Sequence, residues 1–262
     1  MIAATEPTVY LITGANRGIG LGLTSALLER PDTTVIAAVR DPNSPTSLAL
    51  SDLPTNERTH LITIKIDSES ETDARTAAQI LQDTHNIHKL DVLIANAGIG
   101  TYYGPAVAAP LEEYTRHIRT NALAPMLLFQ SFWPLLQNSH MPKFVATSSR
   151  LASIEQLDFW AGLPGDALKQ WMPAAPYGSS KACLNYLLRR LHFEHEGLVA
   201  FPLSPGWVAT EQGDKGAEMR GMKKAPISVE DSVRGMLDKV SSSFSFLFTN
   251  HRICWHCSEG DG

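Results

Sequence analysis

The chain has 262 residues, of which 44% are hydrophobic and 19% charged, and its net charge at pH 7 is −5. This length and composition predict one α/β domain over residues 1–262, and the lack of a basic block argues against nucleic acid or an anionic membrane surface as a partner. The longest apolar stretch, Ala122 to Leu136, is interrupted by prolines and polar residues, so we expect no membrane span. With no signal-peptide pattern and an odd number of cysteines, we expect a cytoplasmic protein.

Apolar runs with the length of β-strands alternate with helical patterns along the chain. The predicted strands are Val9 to Thr13, Thr34 to Val39, Leu61 to Ile66, Leu90 to Ala95, Lys143 to Thr147 and Leu198 to Leu203. The predicted helices are Ile19 to Glu29, one beginning within Ser68 to Asp73, Leu111 to Leu136, and Pro176 to Glu196. Continuous apolar strands, each followed by a helix, predict a doubly wound parallel sheet with helices on both faces.

Two long connections interrupt this alternation and are predicted to form substrate-side loops. Arg150 to Pro176 and Thr210 to Pro226 both leave the predicted carboxyl edge of the sheet, where open α/β sheets bind ligands. Large aromatic side chains in the first connection and just before the second either pack structurally or form the wall of a substrate pocket, and their position in loops favours the pocket. They are Phe159, Trp160, Trp171 and Trp207. We expect the first connection to be mobile without ligand.

A glycine-rich loop joins the first predicted strand to the first predicted helix. Its sequence, Thr13-Gly14-Ala15-Asn16-Arg17-Gly18-Ile19-Gly20, permits a tight turn that aims a helix N-terminus at a pyrophosphate. An ordinary strand-to-helix turn that happens to contain glycines is the alternative, but the position after the first strand favours nucleotide binding. The predicted cofactor contacts in this loop are Gly14, Asn16, Arg17, Gly18, Ile19 and Gly20.

The end of the second predicted strand favours NADPH over NADH. An NAD site usually places a carboxylate there to bind the ribose 2′-hydroxyl, whereas this strand ends with Val39 and Arg40. Arg40 and Arg17 are predicted to hold the 2′-phosphate, since a guanidinium matches that group well. Both could instead be solvated surface arginines, and the neighbouring Asp41 weakens the argument for a phosphate.

Tyr177-Gly178-Ser179-Ser180-Lys181 opens the last predicted long helix. Tyr177 and Lys181 are four residues apart and therefore share one helix face. A nearby ammonium favours the phenolate, so we expect Lys181 to lower the pKa of Tyr177 towards working pH. Such a pair alone could also be an ordinary surface pair, and its meaning depends on the other motifs.

Together these motifs resemble the short-chain dehydrogenase/reductase family over residues 8 to 240, which implies a Rossmann fold. Thr13 to Gly20 is similar to the glycine motif, and Ala95-Asn96-Ala97-Gly98 to the Asn-Asn-Ala-Gly motif, with Ala95 replacing the first Asn. Pro205-Gly206-Trp207-Val208-Ala209-Thr210 is similar to the stretch that contacts the nicotinamide. The resemblance implies a catalytic tetrad of Asn121, Ser149, Tyr177 and Lys181. It also implies cofactor contacts at Asp67, Asn96, Ala97, Gly98, Tyr177, Lys181, Pro205, Gly206, Val208 and Thr210.

Within the family, several segments are similar to fungal norsolorinic acid ketoreductases. They are Val9 to Gly14, Asp67 to Ala74, Leu191 to Glu194 and Gln212 to Ala217. The resemblance implies NADPH-dependent reduction of a bulky secondary-metabolite ketone, for which a polycyclic intermediate is one candidate.

The implied chemistry is hydride transfer to a carbonyl carbon while Tyr177 gives the oxygen a proton as general acid. Ser149 would hydrogen-bond the same oxygen, Lys181 would contact the nicotinamide ribose, and Asn121 would hold a water linked to Lys181. Ser149 lies 28 positions before Tyr177, about twice the usual family separation. Ser148 and Ser153 therefore remain alternatives for the catalytic serine.

Other interpretations stay open from the sequence alone. An imine reductase or a cyclase could use the same residues, and a nucleotide-binding regulator would be expected to have lost Tyr177 or Lys181. A cluster near the C-terminus, His251, Cys254, His256 and Cys257, is too compressed for a usual zinc site, so we predict no metal. Cys183 is predicted to be a small buried residue rather than a nucleophile. By family resemblance, Leu111 to Leu136 and Pro176 to Glu196 would form a homodimer or homotetramer interface.

Overall fold

The computed structural model describes residues 6–155, 174–219 and 221–246. In this part of the chain, a parallel sheet contains β1 (Thr8–Thr13), β2 (Thr33–Val39), β3 (Thr59–Lys65), β4 (Val92–Ala95), β5 (Lys143–Thr147) and β6 (Val199–Leu203). The strand order is β3-β2-β1-β4-β5-β6, which confirms the predicted doubly wound sheet. The order reverses between β1 and β4, so their carboxyl ends border the crevice in which such sheets bind ligands.

Helices cover both faces of this sheet. They are α1 (Gly18–Leu28), α2 (Pro45–Leu48), α3 (Asp73–His85), α4 (Leu111–Ile118), α5 (Ala124–Leu136), α6 (Ala175–Glu194), α7 (Glu211–Glu218) and α8 (Val229–Phe246). On one face, α3, α5 and α6 bury Leu81, Phe132 and Leu188 against the sheet. On the other face, α1 and α8 bury Leu23 and Met236. Because both faces are covered, every residue of β2 is buried, as the continuous apolar run predicted.

The predicted helix from Leu111 to Leu136 is interrupted in its middle. Residues Arg119–Leu123 form a turn of π-helix between α4 and α5. A π turn inserts an extra residue into the helix and is common at functional sites. Asn121, the predicted tetrad member, lies within this turn and is fully buried.

Three helices were not predicted from the sequence: the short α2, and α7 and α8. The connection Thr210 to Pro226 contains α7, which Thr210 caps by accepting a hydrogen bond from the backbone N–H of Gly213. The following α8 begins after Ser228, whose hydroxyl contacts both the backbone N–H and the carboxylate of Asp231. This Ser-x-x-Asp pattern is a capping signal that could have revealed α8 from the sequence.

Some of the residues singled out above lie outside the described ranges. They are Phe159, Trp160, Trp171, His251, Cys254, His256 and Cys257. The predictions of a substrate wall and of mobility for residues 156–173 therefore remain predictions. Among the described helices, none combines the length and the apolarity that a membrane crossing requires.

Candidate active site

The glycine-rich loop after β1 has a backbone that larger residues would not tolerate. Gly14 and Gly18 have φ angles of 65° and 52°, in the left-handed region that favours glycine. A Cβ at Gly20 would lie 2.1 Å from the carbonyl oxygen of Gly14, so the helix can start this close to the loop only with glycine there. The first turn of α1 has no acidic residue and no side-chain cap. Its free N–H groups therefore fit a pyrophosphate.

The hydroxyl of Thr13 ties this loop to the end of β4. It accepts hydrogen bonds from the backbone N–H groups of Asn96 and Ala97, both at 3.0 Å. The Asn96 amide donates to the Thr13 carbonyl at 3.1 Å and accepts from the Thr147 hydroxyl at 3.2 Å. The carboxyl ends of β1, β4 and β5 are thus held together, and Asn96 is positioned by this network. Thr13 was not among the predicted site residues.

A cleft beside these strand ends has the character of an adenosine site. Its walls are mostly apolar, from Ile66, Ala95, Ala97 and Leu128, and Asp67 stands at its rim. Asp67 follows β3 and accepts a hydrogen bond from the backbone N–H of Glu69, which fixes its carboxylate. Thr13, Ser68 and Ser70 add further polar groups to the lining, and apolar walls with a few polar groups suit a flat heterocycle.

The basic residues expected to select NADPH differ in their surroundings. Arg40 is exposed and has no ion-pair partner among the described residues. Arg17 instead pairs with Glu211 of α7 at 3.4 Å, and both side chains are largely exposed. Asp41 accepts a hydrogen bond from the backbone N–H of Asn43, so its carboxylate serves a local turn. Val39 at the end of β2 is fully buried, and no carboxylate replaces it.

Asn16 joins the glycine-rich loop to the segment that follows β2. Its amide donates to the hydroxyl of Thr46 at 2.9 Å and to that of Ser47 at 3.0 Å. The side chain of Asn16 therefore sets the distance between the loop and the residues after Arg40. This is a positioning role within the predicted cofactor site.

Tyr177 lies in the first turn of α6, with its hydroxyl hydrogen-bonded to Ser149. Burial raises the pKa of Tyr177 to about 12; the Ser149 hydrogen bond acts in the opposite direction, and Tyr103 raises the pKa further. The expectation that Lys181 lowers the pKa of Tyr177 is therefore wrong for this structure, because burial dominates. At neutral pH the phenol carries its proton, which is the form needed in a general acid.

Lys181 is buried one turn further along α6. Its Nζ atom donates to the carbonyl oxygen of Thr147 at 2.7 Å and lies 5.7 Å from the centroid of the Tyr177 ring. Burial lowers the pKa of Lys181 to about 8. A Cβ at Gly98 would lie 3.4 Å from Nζ, so the glycine leaves room for the lysine beside the loop after β4.

Asn121 in the π turn connects three parts of the site. Its side-chain oxygen accepts from the backbone N–H of Ile99 at 2.8 Å, and its amide donates to the Ile99 carbonyl at 2.9 Å and the Ser180 hydroxyl at 3.0 Å. The side chain is thus used to fix the loop after β4 against α6.

The structure distinguishes the three serines that were candidates for catalysis. Ser148 is buried and donates to the Asn185 side chain at 2.6 Å, which turns it away from Tyr177. Ser153 is also buried, beyond a short turn. Ser149 is the serine that contacts Tyr177, and it also accepts from the backbone N–H of Leu151 at 3.2 Å. The geometry therefore favours Ser149.

The segment after β6 closes over the glycine-rich loop. Gly206 has a φ angle of 83°, and Val208 pairs with Ile227 in a short parallel bridge. The Thr210 side chain is 3.3 Å from where a Cβ of Gly18 would lie. Thr210, the last of the predicted contacts in this segment, therefore packs against the start of α1.

Trp207 is partly buried and fixed to α7. Its indole N–H donates to the Gly213 carbonyl at 2.9 Å. The ring therefore helps to hold α7 in place, and one part of it stays accessible to solvent.

Two residues near Tyr177 were not predicted as site residues. Tyr103, on the loop after β4, interacts electrostatically with Tyr177 and with Lys215, and burial raises the pKa of Tyr103. Gln212, in the first turn of α7, places its amide nitrogen 2.5 Å from where a Cβ of Gly100 would lie. Tyr103 comes a few residues after Asn96-Ala97-Gly98, and Gln212 comes shortly after the motif that ends at Thr210. Proximity to these motifs was the signal in the sequence that could have identified both residues.

Comparisons with known proteins agree with these features. The sequence model of the family described as short chain dehydrogenase matches residues 8–161. A norsolorinic acid ketoreductase of Aspergillus parasiticus is 40% identical over 249 residues, covering 95% of this chain and 88% of that protein. Its counterpart in Dothistroma septosporum is 42% identical over 241 residues, covering 91% and 86%.

A similar solved structure is the NADPH-bound carbonyl reductase from chicken fatty liver. It superposes with a TM-score of 0.75 at 29% identity, covering 91% of this chain and 92% of that one. The resemblance first seen in scattered motifs thus extends along most of the chain and through its three-dimensional structure. On these grounds the chain belongs to the short-chain dehydrogenase family and is an oxidoreductase.

Proposed function

We propose that this protein reduces a ketone with NADPH, using Tyr177 as the proton donor. The observation that carries the proposal is the hydroxyl of Tyr177, hydrogen-bonded to Ser149, with the Nζ atom of the buried Lys181 5.7 Å from its ring, beside the carboxyl ends of the strands. This combination suits a reaction in which negative charge develops on a carbonyl oxygen. The ketoreductase and carbonyl reductase activities named for similar proteins point to the same reaction.

NADPH supplies the hydride when bound. The residues that would hold it fit the group: glycines that allow close backbone approach, an uncapped start of α1, and a mostly apolar cleft for the adenine. Arg40 would bind the 2′-phosphate, since it is exposed and no carboxylate ends β2. Arg17 would join it after leaving Glu211, which keeps Lys215 as a partner at 2.8 Å. A nicotinamide cofactor with a 2′-phosphate is therefore the best match.

The roles of the side chains follow from their contacts. Ser149 and Tyr177 present two hydroxyls that can donate to one carbonyl oxygen, and Tyr177 transfers its proton as the alkoxide forms. The ammonium of Lys181 sits next to the ring and stabilises the phenolate left behind. Asn121 holds the Ile99 loop and α6 in register, and its backbone carbonyl would bind a water that returns a proton through Lys181.

The substrate we propose is a bulky secondary-metabolite ketone. This rests on the substrate named for the two fungal relatives and on the aromatic residues predicted to form the substrate wall, Phe159, Trp160, Trp171 and Trp207. We also propose a homo-oligomer, a dimer or a tetramer, formed through α5 and α6. Large apolar side chains exposed on these helices support that interface: Leu123, just before α5, Leu127, Tyr186 and Phe193.

Substitution of Tyr177 by phenylalanine tests the reaction. Tyr177→Phe keeps the ring but removes the proton, so turnover of an aromatic ketone with NADPH should fall by about two to four orders of magnitude. NADPH affinity, measured by fluorescence titration, should change little. Near-normal turnover by the variant would mean that another group supplies the proton, and the mechanism proposed here would be wrong.

A further inference from the structure

Gln212 reaches the reacting tyrosine from a helix that the catalytic scheme does not use. A Cβ built on Gly100 would lie 2.5 Å from the Gln212 amide nitrogen and 3.4 Å from Cδ2 of Tyr177. The amide and the edge of the tyrosine ring therefore border the same space, which is open because residue 100 is glycine.

The amide group of Gln212 is not used within the described part of the chain. The residue is exposed, and its side chain makes no hydrogen bond to any described residue. An amide offers two donor hydrogens and an acceptor oxygen, so it can bind a hydroxyl or a carbonyl in either direction. The amide nitrogen lies beside Gly100, next to the same space that the edge of the Tyr177 ring borders.

The backbone that carries Gln212 is held firmly on both sides. Thr210 caps α7, and the indole N–H of Trp207 donates to the Gly213 carbonyl at 2.9 Å. The carboxylate of Asp214 accepts from the backbone N–H of Ala225 at 2.9 Å. A group on a fixed element can discriminate between ligands better than one on a free loop, because little ordering is needed on binding.

The opposite wall is fixed in a similar way. The buried ring of His117 accepts from the backbone N–H of Thr101 at 3.2 Å, and its other nitrogen lies 2.7 Å from the carbonyl of Glu113. This holds the loop of Gly100 and Tyr103 in place. The Tyr103 hydroxyl has no hydrogen-bond partner among the described residues and lies in the electrostatic neighbourhood of Tyr177. Gln212 and Tyr103 are thus two polar residues near Tyr177 whose side chains have no hydrogen-bond partner in the described ranges.

We infer that Gln212 recognises a polar substituent on the substrate, a hydroxyl or a second carbonyl close to the ketone that is reduced, with Tyr103 across the opening. This rests on the proposed function and specifies its substrate class as hydroxylated aromatic ketones rather than plain hydrocarbon ketones. A site built to hydrogen-bond a substrate hydroxyl disfavours the analogue that lacks it.

The test compares α-tetralone with its derivatives that carry one hydroxyl on the aromatic ring. Wild-type protein should prefer at least one of the hydroxylated ketones. Gln212→Met keeps the length of the side chain but removes its amide, so kcat/KM for the preferred ketone should fall about 2- to 10-fold. The loss should appear in KM and leave kcat unchanged, because the hydrogen bond forms in the ground state as well. Values for α-tetralone should stay the same.

Gly100→Ala provides an independent route to the same effect. Its methyl group would occupy the space of the Gln212 amide while remaining in ordinary contact with Tyr177, so it should displace the amide and reproduce the selective loss. The double variant should lose no more than either single variant. Glu218→Met, at the other end of α7, is the matched control and should behave like wild type.

Each outcome bears on the inference directly. If Gln212→Met lowers kcat/KM for α-tetralone and for the hydroxylated ketones by the same factor, Gln212 does not recognise the substituent and the inference is overturned. The inference is also overturned if the variant changes neither value. If wild-type protein reduces no ketone with NADPH, the proposed function itself fails and this inference fails with it.

Discussion

Lys181 should destabilise the folded protein, and its replacement by methionine should reveal this. In the folded state burial lowers the pKa of Lys181 from 10.5 to about 8. A shift of this size corresponds to about 3 kcal/mol against the charged form at neutral pH. Lys181→Met removes that penalty but leaves the carbonyl of Thr147 without its donor, a loss of about 1–3 kcal/mol. We therefore expect the variant to match or exceed wild type by about 1 kcal/mol at pH 7, while losing most of its turnover.

The pH dependence provides a sharper measurement than the value at one pH. Between pH 8 and pH 10.5 the unfolded chain keeps the proton on Lys181 while the folded chain releases it, so the stability of wild type rises with pH in this window. The advantage of Lys181→Met should shrink by about 3 kcal/mol across the window and change sign at its upper end. Urea unfolding of both proteins without cofactor, from pH 7 to pH 10, would measure it.

Lys143 is a matched control for this prediction. It is buried at the start of β5, its Nζ donates to the Val240 carbonyl at 2.7 Å, and burial lowers its pKa. Lys143→Met should show a pH-dependent stability of the same sign while retaining turnover. If the stability difference between Lys181→Met and wild type stays constant from pH 7 to pH 10, the pKa of Lys181 is not lowered by burial in the folded protein. That result would refute the reasoning.

Three further variants test cofactor choice and the identity of the serine. Arg40→Ala should weaken NADPH binding by about 1.5–3 kcal/mol and leave NADH binding nearly unchanged, and equal losses for the two would show that Arg40 acts structurally. Ser149→Ala should lower turnover about 10²- to 10³-fold, as for the loss of one donor to a developing oxyanion. Ser148→Ala should instead lower the unfolding temperature, since Asn185 then loses a buried partner. A reversed pattern would make Ser148 the catalytic serine.

Much of the fold was predictable because its signals are local. The six predicted strands agree with the observed ones to within about two residues at each end, since continuous apolar runs of this length are buried on both faces of a parallel sheet. Because the strands are parallel, the residues that follow β1, β4, β5 and β6 lie at the same edge of the sheet. Glycines such as Gly14 and Gly18 mark backbone conformations that other residues avoid, so the loop was also visible in the sequence.

Other features depended on residues far apart in the chain. Arg17 pairs with Glu211, 194 positions away, and the Gln212 amide meets Gly100 and Tyr177 only after α7 has folded over the site. The π turn at Asn121 was also not predictable, because a helical pattern of apolar residues does not show where an extra residue is inserted into a helix.

By itself, the sequence determined the doubly wound sheet, the family and the residues gathered at its carboxyl edge, since spacing and residue type are properties of short segments. Only the tertiary structure decided which serine meets Tyr177 and whether that phenol keeps its proton. The neighbouring lysine suggested a lowered pKa for Tyr177, but the pKa is raised to about 12. The reason is that burial by distant elements removes water from the phenol, and this desolvation outweighs the hydrogen bond from Tyr177 to Ser149.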